Sequence, residues 1–447
     1  MLISLIGFAV VITLAFLRVP IAFAMGGVGA IGFAALNNWN WRAALSPAGG
    51  SVLDTLQTES LSVIPLFVLM GMLVSQAGLA KELYRSSNAF LGHRRGGLAM
   101  ATIVACGGFS AICGSSLATA ATMAKVAMPQ MRAFKYSDEL ATASIAAGGT
   151  LGILIPPSVI LIIYGIMTEQ SIDKLFLAGI LPGLLGICLY IVAVRFVVWR
   201  KPASGPAGAR ADWGERLASL RDVWAIVMLF VAILGGIYLG VWTTTEAAGV
   251  GAGMALVIAL AKRRLDWASL KAALYQTIQM SAALFCVLIG ADIFQRFIVR
   301  AGMPDALVSI VTGLDLAPLA VIFMMILVYV VLGCVFESLS MMLLTVPVFA
   351  PVVENLGLFA DYPGPAAKEL SLIWFGIIVV VVTEISLITP PVGLNVFVLR
   401  GVLGDVSTRT IFRGVTPFWC VDIVRVALIV LMPWIALVIP LTMKTMG

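Results

Sequence analysis

Long apolar runs alternate with short polar interruptions along most of the 447-residue chain. Many of these runs reach the roughly 20 residues that an α-helix needs to cross the hydrocarbon layer of a bilayer. Residues 1–38 hold two such runs, which separate near Arg18 and Pro20. Since no basic segment precedes the first run, we interpret it as a membrane span and not as a removed signal peptide. The pattern predicts an all-α polytopic membrane protein.

Basic residues concentrate in three polar stretches, Lys81–Arg95, Arg195–Arg221 and Lys262–Lys271. The positive-inside rule assigns these stretches to the cytoplasm, and counting spans backwards from the first of them places the N-terminus outside. The longest interruption, over residues 199–222, is rich in Pro, Gly and Ala. We interpret it as a cytoplasmic connector between two membrane halves.

Polar and helix-breaking residues recur with similar order in the two halves. The matching sets are Ser115–Ser116, Pro129 and Pro156–Pro157 in the first half, and Glu337–Ser338, Pro351 and Pro390–Pro391 in the second. The apolar span over 65–80 runs towards a basic loop, whereas its counterpart over 283–304 runs away from one, so the halves are predicted to be inverted. Matching breaks in inverted halves point to the binding site of a secondary transporter. A duplicated, purely structural bundle is the alternative.

A double proline interrupts each half inside an apolar run, the first one within the charge-free stretch Leu140–Thr168. Proline removes a backbone donor and clashes with the preceding turn, so the helix should break there. Unpaired backbone groups at membrane depth occur only where protein or a water-filled cavity satisfies them. Carbonyl ends of half-helices suit a hard cation such as Na⁺, and amide ends suit a carboxylate. Two broken helices therefore predict two walls of a cation and substrate site.

Small and hydroxyl-bearing residues surround both breaks and supply oxygen ligands: Gly149 and Thr150 in the first half, and Thr383, Ser386, Thr389 and Asn395 in the second. Two earlier stretches, over 107–129 and over 333–351, also place polar residues between apolar runs. We interpret both stretches as re-entrant helical hairpins whose tips meet the broken helices. Close helix packing by small residues is the competing explanation.

Charged residues inside apolar runs are costly and are functional candidates by default. Glu337 and Glu384 fit this description, although either could instead anchor a hairpin tip or pair with a basic residue. Asp292 and Arg296 are four residues apart, a spacing that allows them to pair with each other. Arg400 could attract an anionic substrate or extend its charge to the membrane interface.

Composition agrees with the membrane assignment, because 61% of the residues are hydrophobic and only 11% are charged. The net charge of +6 lies in loops and does not indicate binding of nucleic acid. The chain has no GxxxxGK[ST] phosphate loop, and its single histidine, His93, lies in a basic loop. Nucleotide hydrolysis by that loop and HExxH zinc chemistry are thereby excluded, and we expect no enzyme activity.

Five stretches carry a family resemblance: "RVPIAFAMG" (18–26), "PLFVLMG" (65–71), "GSSLATAATM" (114–123), "GGTLGILIPPSVILIIYGIMTEQSIDKLFLAGILPGLL" (148–185) and "ITPPVGLNVFV" (388–398). They resemble the large membrane subunit of tripartite ATP-independent periplasmic (TRAP) transporters, the DctM-like family. The match runs nearly end to end.

The resemblance implies a permease of the bacterial inner membrane that imports small organic acids, such as C4-dicarboxylates or sialic acids, with a cation gradient, usually Na⁺. It implies two partners, a small four-helix membrane subunit (DctQ-like) and a periplasmic substrate-binding protein (DctP-like). Because the chain begins with the family's large-subunit start, we expect the small subunit to be a separate chain.

The resemblance also implies an elevator-type fold, in which a transport domain moves against a scaffold. On that basis we divide the chain into N-terminal scaffold helices (1–95), the first hairpin and broken helix (96–198), the connector (199–222), further scaffold helices (223–315), and the second hairpin, broken helix and C-terminal helices (316–447).

Family cation sites at hairpin tips and unwound helices correspond here to Ser115, Ser116, Gly149, Thr150, Pro156, Glu337, Ser338, Thr383, Ser386 and Thr389. We assign substrate contacts to Gly114, Pro157, Pro391, Asn395 and Arg400. The implied mechanism is cation-coupled alternating access, in which cations order the tips and complete the site for an anionic substrate.

Two other transport functions compete with this interpretation. An ion channel needs a continuous polar stripe, whereas the polar residues here cluster at paired breaks, and a channel cannot exchange bound substrate in counterflow. A stand-alone Na⁺/dicarboxylate symporter would transport without a binding protein. Coupling to protons through Glu337 and Glu384 is the alternative to Na⁺.

Overall fold

The computed structural model describes residues 2–314, 316–334 and 336–443, and within these ranges the secondary structure is helical, without β-strands. Six of the described helices are long and apolar enough to cross a bilayer. A bent pair, Trp213–Asp222 with Trp224–Tyr238, makes a seventh if it is one span. The predicted all-α, multi-pass architecture is confirmed.

The described part of the first half contains ten α-helices: α1 (Leu2–Phe16), α2 (Ile21–Leu36), α3 (Trp41–Gln57), α4 (Val63–Gln76), α5 (Leu79–Leu91), α6 (Gly97–Cys113), α7 (Ser116–Ala133), α8 (Asp138–Thr150), α9 (Val159–Thr168) and α10 (Ile172–Arg200). Short 3₁₀ turns lie at Glu59–Ser62, Leu151–Ile153 and Pro202–Ser204.

The second half contains twelve described α-helices: α11 (Trp213–Asp222), α12 (Trp224–Phe230), α13 (Gly236–Tyr238), α14 (Thr244–Ala261), α15 (Trp267–Arg300), α16 (Met303–Gly313), α17 (Pro318–Gly333), α18 (Ser338–Glu354), α19 (Gly364–Ser386), α20 (Leu394–Leu403), α21 (Thr408–Leu431) and α22 (Trp434–Thr442). A π-helical turn, Val231–Gly235, joins α12 to α13.

Helices α6–α10 and α17–α21 follow the same order of breaks. A two-residue turn separates α6 from α7, and a four-residue break separates α17 from α18. Each double proline then lies in the gap between two half-helices, α8 and α9 or α19 and α20, and both prolyl peptides are cis. The helices therefore break where the sequence predicts. The division into scaffold and transport regions stays a prediction.

The two half-helices that follow the double prolines pack across the halves. Helix α9 contacts α18 and α19 of the second half, and α20 contacts α7 and α8 of the first. Helix α19 forms the centre of this unit, because every residue from Leu370 to Ser386 is buried. At one end of the unit, Arg132 pairs with Asp405 at 2.7 Å, and its hydrogen bond lowers the pKa of the Asp405 carboxyl. The broken helices thus interlock the two halves.

A second layer flanks this unit. Helix α15 packs along α2 and α4, and α14 packs along α4. At 34 residues, α15 is roughly 50 Å long and exceeds the thickness of the hydrocarbon layer.

The connector is partly helical, since α10 extends to Arg200 and α11 begins at Trp213. Its irregular part binds to the first half through backbone hydrogen bonds from Gly96 N to Gly205 O (2.8 Å) and from Gly208 N to Gly92 O (2.9 Å).

Candidate functional site

A cavity of about 340 Å³ lies where the breaks meet the flanking layer. Its inner wall comes from the breaks and from the half-helices beside them, and includes Gly114, Ser115, Ser116, Ile153, Val159, Glu337, Ser338, Leu387 and Leu394. Its outer wall comes from α4 (Val68, Gly71, Met72 and Ser75) and from α15 (Met280, Ala283, Leu284 and Val287).

Four helix N-termini line this cavity. Its lining residues include the first residues of α7, α9, α18 and α20, namely Ser116, Val159, Ser338 and Leu394. Each N-terminus presents amide groups and a partial positive charge, which stabilise a bound anion. Among the described residues, no side-chain cap hydrogen bond occupies the first amides of α18 or α20. The arrangement can bind a carboxylate through the backbone.

Glu337 is the only charged residue among the described residues that line the cavity. It is exposed, it precedes the first residue of α18, and its Oε1 accepts a hydrogen bond from Ser340 Oγ at 3.2 Å. No lysine or arginine of the described chain lines the cavity to offset this carboxylate. The cavity therefore combines one negative side chain with oxygen atoms from serines, which suits a hard cation.

The first hairpin tip touches the first broken helix through glycines. A Cβ added to Gly152 would lie 2.8 Å from the backbone carbonyl of Ser115 and 2.9 Å from Ser116 N. Similarly, a Cβ on Gly114 would lie 3.0 Å from Pro157 O, and Gly114 has a left-handed φ of 61°. These close approaches require glycine, and they bring backbone oxygens of the tip and the break together.

The second tip touches the second break in a related way. A Cβ on Gly333, the last residue of α17, would overlap the side chain of Ser386. Beyond it, Cys334 Sγ donates to Pro390 O at 3.4 Å. Each tip therefore contacts the double-proline break of its own half, as the sequence interpretation expects.

The structure brings five of the predicted site residues to the cavity wall: Gly114, Ser115, Ser116, Glu337 and Ser338. The other ten lie beyond the lining: Gly149, Thr150, Pro156, Pro157, Thr383, Ser386, Thr389, Pro391, Asn395 and Arg400. Their ligand roles stay predictions.

Hydroxyl groups of the second break bond within α19 and its last turn. Thr383 donates to Val379 O (2.7 Å), Ser386 to Thr383 O (2.6 Å) and Thr389 to Ile385 O (2.6 Å). These bonds use the hydrogen of each hydroxyl group but leave lone pairs on its oxygen. The Thr389 hydroxyl oxygen also accepts a hydrogen bond from Trp419 Nε1 at 3.0 Å.

The remaining predicted residues have varied surroundings. Gly149 packs so closely on Ala120 that an added Cβ would lie 2.8 Å from it. Asn395 is fully buried and donates to Ala146 O at 3.0 Å, which ties α20 to α8, while its Oδ1 has no protein partner among the described residues. Arg400 is exposed in the last turn of α20.

Thr150 belongs to a buried polar cluster that also contains Tyr190, Glu384, Asp422 and Arg425. Its hydroxyl lies 3.1 Å from Tyr190 OH, which donates to Asp422 Oδ2 at 2.7 Å. The Arg425 guanidinium pairs with Asp422 at 3.1 Å and with Glu384. The cluster links α8, α10, α19 and α21, so the pairing of Glu384 with a basic residue, one of the alternatives left open, is confirmed.

Sequence analysis missed Tyr190, Asp422 and Arg425. A signal was present, because Asp422 and Arg425 are two charged residues three apart inside an apolar run of α21. It also missed the outer wall from α4 and α15, whose residues are mostly apolar and carry no signal. Asp292 and Arg296 do pair, at 2.9 Å, and Arg296 also contacts Asp54 at 3.2 Å.

Comparisons with known proteins find similarity over nearly the whole chain. A family model described as "Tripartite ATP-independent periplasmic transporter, DctM component" matches residues 8–435. A C4-dicarboxylate TRAP transporter large permease protein DctM of Pseudomonas aeruginosa is 35% identical over 390 residues, which cover 87% of this chain and 88% of that protein. A sialic acid TRAP transporter large permease protein SiaM of Vibrio cholerae is 30% identical over 428 residues and 96% of each chain.

A solved structure shares the fold. The crystal structure of the Alcanivorax borkumensis YdaH transporter, described as having an unusual topology, matches with a TM-score of 0.64 over 90% of each chain, at 15% identity. The fold is that of a multi-pass helical membrane protein, and the family model and the two relatives place it among transport permeases. The chain belongs to the DctM component family of tripartite ATP-independent periplasmic transporters, as a large permease subunit.

Proposed function

We propose that this permease imports a small organic acid by cation-coupled, elevator-type alternating access, with Na⁺ as the coupling ion. The observation that carries the proposal is the cavity in which four helix N-termini and one carboxylate, Glu337, meet between the broken helices and the α4–α15 wall. In membrane transporters, half-helix N-termini bind anionic substrate groups, and unwound carbonyls and half-helix C-terminal ends beside them bind the coupling cations.

The charge of the cavity argues for cation coupling. An organic acid entering the cavity meets the carboxylate of Glu337 and no basic side chain of the described residues. Its negative charge must then be balanced by helix N-termini and by cations held at the tips. Ser115, Ser116 and Ser338 supply hydroxyl and carbonyl oxygens there, with Glu337 as the charged ligand. Cation binding before substrate is the order that this arrangement favours.

The packing argues for movement of one unit past another. We assign helices α6–α10 and α17–α21, with the two hairpins interpreted as re-entrant, to the transport domain. Their interlock through α9 and α20 supports this assignment. Helices α4, α14 and α15 supply the wall against which the transport domain slides. Because the cavity lies between the two, displacement of the transport domain would carry its contents across the membrane.

The two relatives and the description of the family support the substrate class and the partners that we propose. The two named relatives are permeases for C4-dicarboxylate and for sialic acid, and both substrates carry carboxylates. A component of a tripartite periplasmic transporter needs two others. We assign these to a small four-helix membrane subunit and a periplasmic substrate-binding protein, and we place the complex in the bacterial inner membrane.

The first experiment measures the melting temperature of the purified chain in NaCl, KCl, LiCl and choline chloride at constant ionic strength. A cation bound only to the folded state stabilises it by about 2.7 kcal/mol at 100 times its Kd. We expect stabilisation by Na⁺ alone, reduced in Ser116→Ala and Glu337→Gln. Ser309→Ala, an exposed serine of α16, is the matched control and should respond to Na⁺ normally.

An equal response to all four salts would overturn the assignment of Na⁺. Transport itself is tested in proteoliposomes that contain the permease, its small subunit and the binding protein. We expect uptake and counterflow of an organic acid that depend on an inward Na⁺ gradient and on the binding protein. Uptake without the binding protein would favour a stand-alone symporter, and flux without counterflow would favour a channel.

A further inference from the structure

A second concave surface lies at the other end of the first hairpin, away from the cavity described above. It encloses about 870 Å³ between the turn that follows α5 and the last turns of α10. The residues that line it are Arg94, Arg95, Met100, Val192, Arg195, Phe196, Val198, Trp199 and Pro202. We name it the arginine pocket.

Three guanidinium groups of the arginine pocket have no acidic partner among the residues that the structure describes. Arg94, Arg95 and Arg195 are exposed, and the structure gives none of them an ion pair within the described chain. No described lining residue is acidic. Desolvation lowers the pKa of His93 beside the pocket, and the positive charges of Arg216, Arg94 and Arg210 lower it further. The positive charge of the pocket is therefore not neutralised by the described residues, and the pocket can bind an anion.

Tight packing fixes the loop arginines relative to α10. Gly96 has a left-handed φ of 74°, and a Cβ on it would lie 2.9 Å from Val194 Cγ1 and 3.0 Å from Val198 Cγ2. Its amide donates to Gly205 O at 2.8 Å. The turn that carries Arg94 and Arg95 is thus held between α10 and the connector, so the pocket is formed before a ligand arrives.

Apolar side chains continue from the arginines along α10. Trp199 is 78% exposed, Val192 56% and Phe196 47%, and the rings of Phe196 and Trp199 lie 6.2 Å apart. Exposed apolar residues on a membrane-spanning helix face lipid chains, and tryptophan is enriched at the level of lipid headgroups. The guanidinium groups and the lipid-facing surface therefore meet at one edge of the membrane.

From this juxtaposition we infer that the arginine pocket binds the phosphate-bearing headgroup of an anionic phospholipid, with its acyl chains against Val192, Phe196 and Trp199. Guanidinium groups match phosphate oxygens in pairs of parallel hydrogen bonds. Basic pockets between membrane helices on the cytoplasmic side bind such headgroups. The positive-inside assignment of these loops puts the pocket in the leaflet where this lipid is met.

The test titrates the full chain, in zwitterionic detergent, with dioctanoyl phosphatidylglycerol, dioctanoyl phosphatidylcholine or inorganic phosphate, and follows the melting temperature. We expect stabilisation by phosphatidylglycerol alone. In R94Q/R95Q/R195Q the apparent Kd should rise on the order of 100-fold, from about 1 kcal/mol per basic residue. The control R221Q/R263Q/R409Q removes three exposed arginines outside the pocket and should bind as the unmodified chain does.

Trp199→Ala separates the two parts of the ligand, because it should weaken binding of phosphatidylglycerol through the acyl chain and leave any response to phosphate unchanged. Without added lipid, the triple variant and its control should melt as the unmodified chain does, which shows that the arginines act through the ligand. Equal binding by the triple variant and its control would overturn the inference. A response to phosphate equal to that for the lipid would replace the lipid with a free anion.

Discussion

Arg425 is a fully buried charge in an apolar helix, and the two carboxylates that it pairs with, Glu384 and Asp422, are buried as well. Desolvation of such groups is offset only while every charge keeps a partner. Here one guanidinium serves two carboxylates on two helices, and Tyr190 supplies Asp422 with a further donor. Loss of the guanidinium would leave two uncompensated acids in the core of the unit that contains both breaks.

Arg425→Met should therefore destabilise the protein by about 3–5 kcal/mol, the range for breaking a buried ion pair from one side. The measurement is the free energy of unfolding in detergent. Arg296→Met is the matched control, because Arg296 also contacts two carboxylates, Asp54 and Asp292, but at 39% exposure of its side chain. Solvent screens that pair, so its loss should cost at most about 1 kcal/mol.

If both variants lost the same free energy of unfolding, burial of the cluster would not determine how much it contributes to stability. An additional double variant, Glu384→Gln with Arg425→Met, distinguishes charge from packing. Removal of one acid together with the guanidinium should recover part of the lost stability, because fewer charges stay unpaired. No recovery would assign the effect of Arg425 to lost packing.

At the scale of single residues, the sequence identifies candidate site residues better than it predicts which residues they contact. Ser116 and Glu337 stand out as polar residues between apolar runs, and they line the cavity. Thr150 stands out for the same reason, yet its hydroxyl lies against Tyr190, 40 residues further along the chain. Position within an apolar run predicts that a polar group is buried, but its partner depends on which helix packs beside it.

At the scale of elements, the double prolines predict the positions of the broken helices because the effect of proline on a helix is local. The sequence does not predict that α9 packs on α18 and α20 on α7, since those contacts join segments far apart in the chain. The outer wall of the cavity was missed for a similar reason. Its residues from α4 and α15 are ordinary apolar residues of membrane helices. Only the packing of the helices determines which of these residues face the cavity.

Gly152 tests the contact between a hairpin tip and its broken helix. In Gly152→Ala the added methyl group would lie 2.8 Å from the Ser115 carbonyl, which is backbone and cannot rotate aside. The tip must shift, at a cost of about 1–3 kcal/mol for an overpacked site. If the tip binds Na⁺ as proposed, the melting temperature should also lose its dependence on Na⁺.

The control is Gly253→Ala in α14, an exposed glycine that has no atom within 4 Å of an added Cβ. Alanine is the better helix former, so this change should be neutral or stabilise by up to about 1 kcal/mol. A Gly152→Ala protein as stable as the control, with an unchanged response to Na⁺, would contradict close contact between tip and break.

At the scale of the whole molecule, the interlock of the halves has a consequence for assembly. Because α9 and α20 each pack in the opposite half, neither half can bury its own broken helix alone. Helix α11, the last part of the connector, adds a further link because it packs on α5 of the first half. The loop between α10 and α11 holds Arg210, an exposed residue where the chain can be cut without removing a buried contact.

Division of the chain into 1–210 and 211–447 should therefore give two pieces that fold only together. With an affinity tag on one piece, we expect co-purification of the other after co-expression, and a melting temperature near that of the intact chain. Each piece expressed alone should be degraded or should aggregate. As a control, division between α8 and α9, within residues 151–158, separates a tip from its break and should prevent reassembly. Stable, protease-resistant folding of residues 1–210 alone would show that the halves are independent, and the proposed transport domain would then need different boundaries.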